Sequence, residues 1–139
     1  MESIDDKEDM QFADEAYDIL GFSEEEKYNV YKLTAVVMHM GNLCKDFVPV
    51  GKEEQAEIKS EETAIKVADI CGIDCEWMIT YFCKPKLKVG TEWVTKGQTC
   101  EQATNAVGGI ARAIFDRLFK WLIIKCNDTL IDKSMKKCN

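Results

Sequence analysis

Seven cysteines, one histidine and many carboxylates are the side chains of this chain that could do chemistry. Thiolates attack electrophiles or hold zinc, imidazole moves protons, and paired carboxylates act as acid and base. The cysteines are Cys44, Cys71, Cys75, Cys83, Cys100, Cys126 and Cys138. Their number is odd and no Cys-x-x-Cys pair occurs, which argues against a disulfide framework. Cys71 and Cys75 stand four apart, but Gly72 and Asp74 break the helix that would align them. A zinc site, or a small thiol protein built on these residues, is therefore disfavoured, and the thiols read as small hydrophobes. His39, the sole histidine, falls on an apolar helical face and reads as a buried, hydrogen-bonded residue. The pairs Asp5-Asp6, Glu53-Glu54 and Glu61-Glu62 lie in charged stretches and read as solvated faces. Neither Gly-x-x-x-x-Gly-Lys-[Ser/Thr] nor Gly-x-Gly-x-x-Gly occurs. No catalytic, cofactor-binding or metal-ligating residue is assigned.

The elements that must carry these side chains fit in 139 residues, enough for one domain or a piece of a larger one. With 46% hydrophobic and 31% charged residues the chain can build a core. A net charge of −7 argues against general nucleic-acid binding. The charge is uneven: residues 1–62 hold 17 acids and 6 bases, residues 63–139 hold 8 acids and 12 bases. No apolar run nears the roughly 20 residues that span a bilayer, and the acidic MESIDDKEDM has no signal-peptide core. The expectation is a soluble intracellular chain with no membrane and no nucleic-acid partner.

Helical periodicity dominates. A short helix is expected over Phe12–Leu20, stopped by Gly21. Ser23 and Glu26 form a capping box that opens a strongly apolar helix ending at Gly41-Asn42. Residues 43–59 read as a loop punctuated by Pro49 and Gly51. A third helix is expected from Glu61 to Cys71, and a short fourth one after Asp74 as N-cap. KLKVGTEWVT then alternates, with Leu87, Val89 and Trp93 set against Lys86, Lys88 and Glu92 around a Gly90-Thr91 turn. Such a hairpin is marginal alone and must lean on something larger. Thr99 and Gln102 form a second capping box, opening a long helix that runs to Ile124 or beyond. Inside it Gly108-Gly109 costs about 1 kcal/mol per residue, which a closely packed backbone would justify. The tail IDKSMKKCN lacks periodicity and is expected to fray. There is no internal repeat. The fold class is mostly α, with one protruding, positively charged β-hairpin.

The residue strings themselves carry a resemblance. DEAYDILGFSEEEKYNVYKLTAVVMHMGN (Asp14–Asn42), EEQAE (Glu53–Glu57), KVGTEWVTKGQT (Lys88–Thr99) and NAVGGIARAIFDRLFKWLIIKCN (Asn105–Asn127) closely resemble the conventional, muscle-type (class II) myosin heavy-chain motor domain. The match covers nearly the whole chain. It implies that residues 1–139 form part of a motor domain, between switch I and switch II, in the upper subdomain beside the actin-binding cleft. The family's phosphate loop and both switches are missing, so ATP and Mg2+ would belong to the rest of the motor, and this chain would have no ATPase by itself.

Two actin-facing elements of the family are implied here. The cardiomyopathy loop corresponds to about Lys84–Gln98 and loop 4 to about Lys45–Glu62. The implied actin-binding residues are Lys84, Pro85, Lys86, Lys88, Val89, Glu92 and Lys96. The four lysines would orient the hairpin on acidic filamentous actin, since single exposed ion pairs give roughly 0–1 kcal/mol each. Val89 would add an apolar contact near the tip, and Glu92 would hold a permanent negative charge where relatives use one that is fixed or phosphate-borne. Lys86 stands where muscle members commonly carry Arg, keeping the charge but losing the bidentate fork. Before EEQAE, CKDFVPVG replaces the family's basic run, so a basic loop 4 contact is not implied. Thr104 replaces a common aromatic, Gly109 replaces a common Ala, and SMKKCN abandons the family's next strand. The implied partners are filamentous actin and the remainder of the motor domain, in a cytoplasmic, cytoskeletal or myofibrillar myosin complex. The competing reading is a truncated, non-functional remnant with no activity of its own.

Overall fold

A computed structural model describes the backbone of residues 5–137 and the side chains of residues 5–131. The fold is mostly α, with five helices and two small antiparallel hairpins. Helix α1 spans Asp6–Leu20 and α2 spans Glu24–Leu43. Strands β1 (Phe47–Val50) and β2 (Gln55–Ile58) follow, then α3 (Glu62–Cys71) and α4 (Cys75–Cys83). Strands β3 (Lys86–Val89) and β4 (Glu92–Thr95) precede the long α5 (Cys100–Lys137). None of the helices, over the described residues, is long and apolar enough to cross a membrane.

Two compact units emerge. One combines the residues up to Leu33 with those from Asp116 onward; the other is Thr34–Phe115. The larger unit holds the main core. Val36, Met40 and Leu43 of α2 pack with Ala64, Val67 and Ala68 of α3, Met78 and Phe82 of α4, and Ala103 and Val107 of α5. The small residues Ala64, Ala68 and Ala103 let helices approach closely at 0–1% exposure. Phe47 of β1 and Ala56 of β2 close the core from the first hairpin.

The smaller unit combines an aromatic cluster with buried Val30. Phe22 lies 4.9 Å from Tyr17 and meets Trp121 edge-on at 5.9 Å, and Leu118 is buried. The Ser23 capping box is formed: Glu26 N–H donates to Ser23 Oγ at 3.1 Å, and Ser23 N–H donates to Glu26 Oε2 at 2.9 Å. Glu26 Oε1 also receives Lys125 Nζ at 2.7 Å, so one carboxylate fixes the helix start and a cross-helix pair.

Several sequence boundaries shift. α1 begins at Asp6 rather than Phe12, because Asp5 Oδ1 accepts the amides of Lys7 and Glu8 as an N-cap. Its first turns carry no buried side chain, so apolar spacing could not reveal them. Residues 43–59 are not a loop: β1 and β2 pair antiparallel, Phe47 opposite Ile58 and Pro49 opposite Ala56. Pro49 is tolerated because β1 is an edge strand, and the Ala56 N–H opposite it points away, to Gln98 O at 2.8 Å. Helix α5 runs on to Lys137 instead of fraying after Leu130. No backbone packs on Gly108-Gly109: a Cβ on Gly109 would meet open space, and one on Gly108 only Arg112 Nη2 at 4.0 Å. The second capping box is as expected, with Gln102 N–H on Thr99 Oγ1 and Thr99 N–H on Gln102 Oε1.

Candidate functional site

The hairpin β3–β4 stands where the alternating segment placed it. Asp74 Oδ1 caps α4 through the Trp77 amide at 2.7 Å, and α4 ends in Cys83. Lys84 breaks the helix with φ −141°, its N–H still bonded to Thr80 O. The chain then extends through Pro85 into β3. A two-residue turn pairs Val89 with Glu92, Lys88 with Trp93, Leu87 with Val94 and Lys86 with Thr95. Gly90 takes φ +64° at the first central position while Thr91 does not take a positive φ, the pattern of a type II′ turn.

This register corrects the expected faces. Opposite residues across an antiparallel pair share a face, and a two-residue turn pairs odd with even numbers. Trp93 therefore joins Lys86, Lys88 and Thr95 on one face. Glu92 joins Val89, Leu87 and Val94 on the other. The lysine face carries an aromatic, and Glu92 is directed away from Lys86 and Lys88.

All eight strand residues are exposed, Val89 at 64% and Trp93 at 67%. Lys84, Lys86, Lys88 and Lys96 are exposed too, and among the described residues none of them makes an ion pair. Pro85 is half-buried at the root, where its carbonyl accepts the Lys96 amide at 3.0 Å. Beside the root, Trp77 and Tyr81 stack at 5.7 Å and line a concavity of about 240 Å³ with Lys84, Pro85 and Lys86. The structure thus brings together all seven residues singled out from the sequence, and adds Trp77, Tyr81 and Trp93. Trp77 and Tyr81 lie outside the alternating segment, on α4, and are exposed at 62% and 51%.

The 45–62 segment is a different surface. Lys52, Glu53 and Glu54 sit exposed at the β1–β2 tip, and acids outnumber bases across the segment. Such a tip repels an acidic partner.

Burial raises the thiols of Cys44, Cys75 and Cys83 above their ordinary range, which keeps them protonated and unreactive. Gly72 ends α3 and Asp74 opens α4, so Cys71 and Cys75 belong to different helices. Cys138 lies outside the described residues. Among the described residues no three of His, Cys, Asp and Glu converge in a group that could hold a metal ion.

The family described as myosin head (motor domain) matches residues 1–139. Myosin-3 of Caenorhabditis briggsae is 45% identical over 137 residues, 99% of this chain and 7% of the relative. Myosin-3 of Caenorhabditis elegans shows the same identity over the same coverage. The chain thus spans 7% of the length of these curated relatives.

Proposed function

This chain belongs to the myosin head (motor domain) family, and from that membership we propose that it supplies part of the actin-facing surface of an ATP-driven motor. The observation that supports this reading is the hairpin β3–β4, which offers on one small protrusion four exposed lysines that pair with no carboxylate among the described residues. An exposed lysine already held by a carboxylate would gain little from a second acidic group. These four are free to meet the acidic face of filamentous actin. Each pair contributes roughly 0–1 kcal/mol, so the patch steers and orients while apolar contact from Val89 and the Trp93 face adds grip. Glu92 stands on the face away from Lys86 and Lys88, where it does not neutralise them.

Nucleotide chemistry is assigned to other parts of the motor. What supports this assignment is the sequence, which carries no Gly-x-x-x-x-Gly-Lys-[Ser/Thr] phosphate loop. The remainder of the motor domain is the second partner, covering the apolar side chains this chain leaves exposed. The cell site that follows is the actin cytoskeleton.

Co-sedimentation with filamentous actin tests the reading. Binding should weaken steeply from low to physiological salt, because the pairs are exposed. The double reversal Lys86→Glu, Lys88→Glu should cost roughly tenfold or more in affinity at low salt. Equal binding by the reversed and native chains would remove the hairpin from the interface.

A further inference from the structure

A two-stranded hairpin with every strand residue exposed has no packing to aim it. Its direction must come from its root. There, Gln98 N–H donates to Cys83 O at 2.9 Å, and Lys96 N–H donates to Pro85 O at 3.0 Å. These bonds close the hairpin but do not attach it to the body. The attachment comes from β2. Ala56 N–H donates to Gln98 O at 2.8 Å, and Gln55 forms a bridge with Thr99. The Gln55 side chain reaches further. Its Nε2 donates to Cys83 O at 2.8 Å and to Ala56 O at 2.9 Å, with Gln98 O at 3.4 Å. Two amide hydrogens thus serve two carbonyls closely, and one of those carbonyls is also the one that closes the hairpin.

The residue at 97 completes the fit. A Cβ on Gly97 would overlap Gln55 Oε1, and the three atoms nearest to it all belong to the Gln55 side chain. Glycine at 97 is what lets the amide lie across the root.

We propose that Gln55 is the positioning residue of the lysine hairpin: its side-chain amide latches the 84–98 root onto β2, with Gly97 as the slot that admits it. Actin contact by the hairpin is the reading above, on which the functional value of the latch rests; the latch itself is a matter of hydrogen bonds. An ionised Glu at 55 would fill the same space but bring no hydrogen, and would face carbonyl oxygens instead. The β1–β2 hairpin and the lysine hairpin are thereby tied through the Gln55 side chain as well as through the Ala56–Gln98 bond and the Gln55–Thr99 bridge.

The test uses the whole chain in four versions besides the native one: Gln55→Ala, Gln55→Glu, Gly97→Ala and the double Gln55→Ala, Gly97→Ala. Amide exchange at Lys96 and Gln98 should quicken about tenfold in each single variant, while α3 keeps its protection. The double variant should exchange no faster than Gln55→Ala, because the clash at 97 vanishes once the Gln55 amide is gone. Additive effects, unchanged exchange at Lys96 and Gln98, or faster exchange spread evenly over α3 would each overturn the latch. In actin co-sedimentation, Gln55→Ala should weaken binding several-fold while keeping the native salt slope, since all four lysines remain. A changed slope would instead mean that Gln55 acts through charge, and would also overturn it. If the native chain fails to sediment with actin, the actin reading falls, and the exchange data still decide the latch.

Discussion

Lys27 is the one buried charge among the described residues, at 5% exposure. Three carboxylates hold it: Asp18 at 2.8 Å, Asp14 at 3.2 Å and Glu24 at 3.2 Å. Tyr31 donates its hydroxyl to Asp14 at 2.9 Å. The Tyr31 hydrogen bond, and then Lys27, hold the Asp14 carboxyl below the usual range. Burial, and then the bond to Asp14, push the Tyr31 phenol up to about 12. A carboxylate with a depressed native pKa stabilises above its ordinary value, near 3.8, and loses that contribution as pH falls further. A phenol with a raised native pKa stabilises below its ordinary value, near 10, and loses that as pH rises through about 12. Asp14→Asn should therefore lower the thermal midpoint at neutral pH, with the gap to the native chain closing below about pH 4. Tyr31→Phe should lower it as well, with its gap closing between about pH 10 and 12. Parallel midpoint curves across pH 3 to 12 would show the cluster to be energetically idle. None of this was legible as a site. The run Glu24-Glu25-Glu26-Lys27 reads as a solvated helix start, and only the packing of α1 against it turns Asp14 and Asp18, one turn apart, toward Lys27.

At the scale of elements, the helix ends were the readable part. Ser23 with Glu26 and Thr99 with Gln102 are local patterns, and both boxes form with their reciprocal bonds. The β1–β2 hairpin was not readable, because Pro49 and Gly51 are breakers unless one knows that β1 is an edge and that the Ala56 amide points elsewhere. The faces of β3–β4 were half readable: alternation found the strands, and only the turn length decides which side Trp93 takes. Gly109 is the sharpest element-scale test. It sits mid-helix in α5, exposed, with nothing within 4 Å of a Cβ. Gly109→Ala should stabilise the chain by about 1 kcal/mol, through helix propensity and a smaller unfolded ensemble. The thermal midpoint should rise by about 4 °C. Gly90→Ala should do the opposite for the hairpin, since φ +64° strains a residue with a Cβ by about 1 kcal/mol. Exchange of the Lys86–Thr95 amides reads that loss directly. A stabilised hairpin would mean that the turn has switched type.

For the molecule as a whole, the apolar surface is the feature that demands a partner. Among the described residues 22 large hydrophobics are exposed, more than the 16 hydrophobic residues that fill the core. Some lie on β3–β4 and belong to the proposed actin face. Many do not: Ile123 and Ile124 of α5 are exposed at 45% and 60%, in a helix whose buried Leu118 faces the other way. Single exposed apolar residues are ordinary, whereas a contiguous run along one helix marks an interface. The relatives extend far beyond the 7% matched here, so sequence of the required size exists to cover that run in a motor of their length. The net charge of −7 keeps separate chains apart at low salt, and screening removes that protection. The isolated chain should therefore associate with itself as salt rises, the opposite of its expected binding to actin. Ile123→Gln with Ile124→Gln should suppress both this association and the binding of an apolar-surface dye, with helix content unchanged by circular dichroism. Association that weakens with salt, or persists unaltered in the double variant, would place the sticky surface elsewhere and leave the α5 run without a partner to explain.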